Sequence, residues 1–191
     1  GADHEDIAYS YRTGNHGDGS WYSINGNIDY QRTSRKNKQR MITFSYKINT
    51  QPQTSNSNTG YEDIHAKEEV DDLVKRLLLK NSQSDGKTNT MEQTFQVDYT
   101  TPIGELHTVE AGAKYIFRRN TSDNKLYEAA GGSDDYLYNE DRSSDYRHLN
   151  HILAAYLGYT LKYKDFTFKP GVRYEQTVQL SLIHISEPTR L

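Results

Sequence analysis

The feature that most constrains this chain is a side-chain period of two, held over segments much longer than an ordinary strand. Residues 21–32 set Tyr22, Ile24, Gly26, Ile28 and Tyr30 against Ser23, Asn25, Asn27, Asp29 and Gln31. Residues 40–50 set Ile42, Phe44, Tyr46 and Ile48 against Thr43, Ser45, Lys47 and Asn49. The same alternation runs through residues 90–100, 107–119, 149–163 and 167–178, with a shorter run at 6–12 carrying Ile7, Tyr9 and Tyr11. Successive side chains of a strand point to opposite faces, so these are seven predicted strands, each with one apolar and one polar face. Gln93, His151 and Gln176 break the apolar faces, and Ile116, Ile152 and Tyr156 break the polar ones. The segment 149–163 is the least regular, and its Ala154-Ala155 pair also admits a helix.

A soluble sandwich alternates too, so the choice rests on three further properties. The segments run to ~10–14 residues where soluble strands average ~5–6. About 11 residues at ~3.3 Å each, tilted by ~40°, cross a hydrocarbon slab of ~25 Å. The polar faces carry charge at Asp29, Lys47, Glu92, Asp98, Glu110, Lys114, Lys169, Arg173 and Glu175, which suits a wet lumen and not a dry core. The apolar stripes tend to end in aromatics (Tyr22, Tyr30, Tyr46, Tyr99, Tyr115, Phe117, Tyr163, Tyr174), whose greasy rings and wet hydroxyls favour a bilayer boundary. Short connections at 33–40, 101–106 and 164–166 alternate with long ones at 50–90 and 120–148, and 13–20, with its three glycines, stands in for a longer loop. Short turns at one end and long loops at the other are the arrangement of an outer-membrane barrel.

Composition then fits. The 191 residues are only 34% hydrophobic and carry a net charge of -3, with a mean hydropathy of -0.95. A barrel needs only alternate residues apolar, and long polar loops dilute those further. No stretch reaches the ~18 apolar residues of a spanning helix, and the near-neutral charge balance gives no basis for nucleic acid. The absence of cysteine excludes disulfides, thiolate zinc sites and cysteine nucleophiles. In lipid every backbone polar group must pair between strands, so the barrel has to close. Seven strands are odd in number and leave two open edges, and the chain has no initiator methionine. Its residues 1–179 are expected to be a fragment of a larger antiparallel up-and-down barrel. Residues 180–191, LSLIHISEPTRL, resemble a translated transposon-end sequencing adaptor and are read as a non-native tail.

The ordered segments Phe44-Ser45-Tyr46-Lys47-Ile48-Asn49-Thr50, Phe95-Gln96-Val97-Asp98-Tyr99-Thr100-Thr101-Pro102, His107-Thr108-Val109-Glu110-Ala111-Gly112-Ala113-Lys114-Tyr115 and Lys169-Pro170-Gly171-Val172-Arg173-Tyr174-Glu175-Gln176-Thr177 carry a resemblance. From about residue 19 to 179 the chain is similar to the barrel domain of TonB-dependent outer-membrane receptors. More narrowly, it resembles the outer-membrane barrel family that accompanies an N-terminal carboxypeptidase-like domain and plug. The resemblance implies a Gram-negative outer-membrane receptor of roughly 22 strands, contacting membrane lipid. It also implies a siderophore, glycan, peptide or cobalamin ligand at the mouth, a TonB-type energy-transducing complex acting through a plug, and a surface lipoprotein partner. Neither plug nor energy-coupling box stands in this sequence. The alternatives are a non-gated barrel acting as pore, adhesin or scaffold, and a soluble extracellular β-sandwich that binds glycans.

No catalytic, cofactor or metal residue emerges. The acidic loop with Asp134, Asp135, Glu140, Asp141 and Asp145 interleaves Tyr136, Tyr138 and Tyr146. These tyrosines are the candidate ligand contacts, against the plainer reading of a solvated loop. The acidic spacing matches no calcium loop. His4, Glu5, Asp6, His16 and Asp18 are scattered, and His148 and His151 make no HExxH. Glu110 and Glu175, near Lys114 and Arg173, are read as cross-strand charge partners in the lumen and not as a catalytic pair. No nucleophile elbow is present, and an enzyme is not expected. One helix is expected across 61–80, with Glu62, Asp63, Glu68 and Glu69 early and Lys75, Arg76 and Lys80 late, in the order the helix dipole favours. It either packs on the rim or across the mouth, or binds a partner.

These readings assign opposite sensitivities to the two faces. Leu153→Arg or Val97→Arg should cost ~2–4 kcal/mol in a bilayer, whereas Glu92→Gln on the polar face should cost little. Urea titration of folding into lipid vesicles measures both; equal sensitivity of the two faces contradicts the barrel.

Overall fold

The computed structural model describes residues 9–184. They form one antiparallel sheet, a meander of long strands. The elements are β1 (Tyr9–Trp21), β2 (Ile24–Thr33), β3 (Met41–Ala66), a helical turn α1 (Asp71–Leu73) continued by a π-helical turn (Val74–Leu78), β4 (Asn81–Ile103), β5 (His107–Ala129), β6 (Leu137–Tyr138), β7 (Ser144–Tyr163), β8 (Phe166–Phe168) and β9 (Gly171–His184). The spatial order is β1-β3-β4-β5-β7-β8, with β2 also on β3, β9 also on β7 and β6 on β5. The sheet does not close on itself among the described residues.

Register shows that β1 and β2 are one line of chain. Both run antiparallel to β3, against Gln53–Ala66 and Met41–Thr50 respectively, and only Tyr22 and Ser23 interrupt them. The segment 13–20, expected as a connection, is therefore strand. Gly14, Gly17 and Gly19 take no positive φ there, so the long β3 backbone holds them extended. The runs 6–12 and 21–32, counted as two strands, belong to one line, with residues 6–8 outside the described residues. β8 and β9 are likewise one line, broken at Lys169-Pro170, where proline lacks the N–H a ladder needs. Six continuous lines of chain thus replace seven separate strands.

The long loops are corrected in the same way. Most of 50–90 and 120–148 is strand: β3 runs to Ala66, β4 starts at Asn81, β5 runs to Ala129 and β7 starts at Ser144. The ladder continues without a break through Gly86↔Asn124 and Asp123↔Asp145. The helix covers only Asp71–Leu78, because Tyr61–Ala66 is strand. The ambiguous segment 149–163 is strand β7, and Leu180–His184 continue β9 against Asp145–Leu149.

Side chains of one row share a face across the sheet. Arg32, Ile42, Tyr99, Ala111, Leu157 and Val172 form one apolar row; Tyr30, Phe44, Val97, Ala113, Ala155 and Tyr174 form the next; Ile28, Tyr46, Phe95, Tyr115 and Leu153 a third. From Val109 to Phe117 is about 26 Å along β5 at ~3.3 Å per residue, which at a ~40° tilt rises through ~20 Å of a ~25 Å apolar band. Among the described residues no second layer covers this face: Ile28 is 70% exposed and Leu157 53%. A sandwich would bury them against each other, so the sandwich reading fails. Tyr22 and Tyr163 stand near the band's edges, but Tyr46, Phe95 and Tyr115 stack across its middle, with ring centroids 4.8 and 6.3 Å apart.

Five of the residues that break the pattern find partners. On the apolar face the Tyr46 hydroxyl donates to Gln93 Oε1 at 3.2 Å, and Tyr115 Oη bonds His151 Nδ1 at 2.7 Å. Each polar group is thereby satisfied where hydrocarbon offers nothing. On the polar face Ile116 sits opposite Ile152. Tyr156 lies over Gly112, its registered partner, and donates to Asp98. A Cβ on Gly112 would run into the Tyr156 ring, so this glycine is required for close approach.

Gly112→Val should therefore destabilise the sheet by about 1–3 kcal/mol, the usual cost of overpacking. Adding Tyr156→Ala should recover part of that loss. Urea-dependent folding into vesicles, read as a double-mutant cycle, checks this; strictly additive losses contradict it.

Candidate functional site

Beyond the apolar band the strands rise on the long-loop side for roughly ten further residues, and there the molecule acquires the buried interior that the sheet lacks. Val74 (1% exposed), Leu79 and Ala129 are buried together with the polar Asn81 and Ser143; Ala154 is the other buried hydrophobic residue among those described. Two loops make this cap by docking on each other. The Tyr61 N–H donates to Asn81 Oδ1 at 2.8 Å, Asn81 Nδ2 donates to the Ser133 carbonyl at 3.2 Å, and the Gly131 N–H donates to the Lys75 carbonyl at 2.8 Å. Gly131 has no room for a side chain, because a Cβ would collide with the Leu79 carbonyl oxygen and Ile64 Cδ1.

The second loop is held at Glu128, the last polar residue of β5. Its carboxylate accepts from Asn139 Nδ2 at 2.8 Å and from Arg142 Nη1 at 2.7 Å, with Lys80 Nζ at 3.8 Å. The Asn139 hydrogen bond, and then the Lys80 and Arg142 charges, hold its pKa below the ordinary carboxylate value. Ser143 completes the arrangement: its hydroxyl donates to the Asn139 carbonyl at 2.7 Å and accepts the Leu126 N–H at 3.0 Å.

Two clefts flank the loop. One, of about 660 Å³, is lined by Arg76, Lys80, Glu128, Asp135, Tyr138 and Glu140 among others. The second, of about 490 Å³, is lined by His16, Tyr61, Glu62, Asn81, Asp134 and Tyr136. Of the three candidate tyrosines, Tyr138 and Tyr136 line different clefts, and Tyr138 packs on Tyr127 at 5.5 Å. Tyr146 lines neither. It stacks on His148 at 6.2 Å, and Asp145 faces Asp123 across the strands. Among the described residues no three acidic or histidine side chains converge as metal ligands would. His16 and Asp18 pair at 3.3 Å on an exposed strand, while His4, Glu5 and Asp6 lie outside the described residues. The cationic lining residues Arg76 and Lys80 were legible in the sequence only as a helix end.

The polar face below the cap is a hydrogen-bonding surface. Its cross-strand ion pair is Glu92 with Arg118, at 2.7 Å, not the pairs expected from Glu110 and Glu175. Glu175 pairs along its own strand with Arg173, at 3.1 Å, and Glu110 stands opposite Gly158. The Glu92–Arg118 pair shares its row with Asn49 and Asn150, and the adjoining row holds Asn120 and His148. Asn49, Asn120 and Asn150 Oδ1 and His148 Nδ1 have no partner within the described chain.

Glu128 lies outside the membrane-spanning rows, and its lowered pKa fixes a sign. Its contribution is fully present above about pH 4.5 and is lost as the pH falls through the lower value of the docked loop. Acidification below pH 4.5 should thus lower the hydrogen-exchange protection factors of residues 130–143, and Glu128→Gln should flatten that dependence; an unchanged profile in the variant contradicts the role.

Comparison with known proteins places this architecture. No curated protein matches the chain. Among solved structures the chain is similar to the ferric citrate transporter FecA in its unliganded form, with 16% identity and a TM-score of 0.34, over 77% of this chain and 22% of that one. The chain therefore spans less than a quarter of that transporter's length. A family model, the outer membrane protein beta-barrel family, matches residues 32–182, which covers β3 to β8 whole and most of β9. With its single-layer sheet, exposed apolar face and charged opposite face, this chain belongs to the outer membrane protein β-barrel family.

Proposed function

We propose that the chain forms part of the barrel of a plugged, energy-coupled outer-membrane receptor that imports a scarce nutrient. The observation that carries this reading is the inward face. Its charged and amide side chains, among them Asp29, Asn49, Glu92 and Arg118, would line an aqueous or peptide-filled lumen beneath a mouth narrowed by docked loops. Such a surface suits passage of a hydrophilic solute, and the two clefts at the rim suit its capture.

The mixed charge of the larger cleft, whose lining includes Arg76 and Lys80 as well as Asp135, Glu140, Asp141 and Tyr138, suits a small-molecule, glycan or peptide ligand. In this reading a TonB-type complex acts through a plug, a surface lipoprotein meets the capping loops, and the chain itself catalyses no reaction.

The test is genetic and electrical. Deleting the gene in the producing bacterium should abolish uptake of one class of limiting nutrient, and an uncoupler should abolish the same uptake in the parent. A steady ungated conductance of the full-length protein in planar bilayers, with uptake intact in the deletion strain, would identify a simple pore instead.

A further inference from the structure

The strongest unassigned charge on the molecule lies at the other rim. The β2–β3 turn reads Arg32-Thr33-Ser34-Arg35-Lys36-Asn37-Lys38-Gln39-Arg40, five cations in nine residues with no carboxylate. None of the five forms an ion pair with a described residue. The carboxylates on adjoining rows, Asp98 and Glu110, belong to the opposite face, and Glu105 in the next turn stays beyond ion-pair distance. Uncompensated charge at this density repels itself and needs an external anion.

The turn is held in shape by its own polar groups. The Ser34 N–H donates to the Arg40 carbonyl at 2.9 Å, the Arg40 N–H to the Asn37 carbonyl at 3.0 Å and the Gln39 N–H to Asn37 Oδ1 at 3.0 Å. The arginines themselves border hydrocarbon. Arg32 occupies the apolar row of Ile42 and Tyr99, and Arg40 donates from Nε to Thr101 Oγ1 at 3.1 Å on the same side. Arg32, Arg35 and Arg40 line a depression of about 470 Å³ whose other wall includes Ile42 and Tyr99. A site with cations at the rim and greasy groups behind them matches a molecule that is anionic at one end and apolar at the other.

We propose that this depression binds an anionic phospholipid in the leaflet on the short-turn, periplasmic side of the membrane. The arginines take the headgroup phosphate, and Ile42 and Tyr99 take the start of the acyl chain. Arginine suits phosphate because its planar fork donates two bonds at once, and basic clusters beside a membrane favour anionic lipids by charge. A soluble periplasmic polyanion would explain the cations but not their place on the lipid-facing side.

Native mass spectrometry of the full-length protein in neutral detergent, titrated with phosphatidylglycerol or phosphatidylcholine, tests this. Phosphatidylglycerol should bind roughly fivefold more tightly, and the preference should vanish in the triple variant R32Q/R35Q/R40Q. K36Q/K38Q, whose residues do not line the depression, should keep most of it. A preference that survives in the triple variant overturns the proposal. Should that variant not fold, the salt dependence of the unaltered protein decides: a preference that does not weaken between 0.05 and 0.5 M ammonium acetate, a range across which roughly threefold shorter screening lengths apply, overturns it as well. Binding of inorganic polyphosphate as tight as that of phosphatidylglycerol, without lipid, would assign the turn to a soluble polymer.

Discussion

The backbone cannot leave its hydrogen bonds unmade in hydrocarbon, and the rest of this architecture depends on that requirement. A strand inside lipid has no water to bond, so each amide and carbonyl must meet a neighbouring strand. The result is the uninterrupted register from β3 through β4, β5 and β7. Because pairing fills the plane of the sheet, side chains are left to mediate between two solvents. One face meets lipid with Ile28, Phe44, Val97 and Leu157, and the other meets solvent with Asp29, Glu92, Arg118 and Glu175. This is why the molecule has so little interior: its large apolar residues are exposed, and the bilayer takes the place of a core.

Outside the band the physics reverts to that of a soluble protein. The strand extensions are wet on both sides, and the loops can be ordered only by burying something. Val74, Leu79 and Ala129 supply a small apolar centre, Asn81 and Gly131 join the loops through backbone contacts, and Glu128 clamps the far end through Asn139 and Arg142. The cap is thus built from hydrogen bonds and ion pairs more than from hydrophobic area, which makes it responsive to pH and leaves polar groups lining both clefts.

The strands were legible where lipid is and illegible where it is not. Alternation marks residues 107–119 because Val109, Ala111, Ala113, Tyr115 and Phe117 must be apolar. It fades at Thr121, Asp123 and Lys125 because neither face of β5 meets lipid there, although the ladder to β7 continues to Asn124. The same holds for the polar run after Thr50. The glycines of residues 13–20 read as a loop because propensity is local, whereas β3 imposes extension across the ladder. Tyr136, Tyr138 and Tyr146 looked equivalent by spacing, and folding sent them to two different clefts and to a histidine stack.

By itself the sequence determined the two faces of each strand, the alternation of short and long connections, and hence a barrel wall in an outer membrane. These follow from a period of two and from solvent contact, which act residue by residue. Only the tertiary structure decided that β1 and β2 form one line of chain, that Tyr156 covers Gly112, that Glu92 and not Glu110 carries the cross-strand charge pair, and that the distant loops meet through Asn81 and Glu128. Each of these depends on which residue of one strand stands opposite which residue of another. Register is a property of paired chains, and no single stretch of residues contains it.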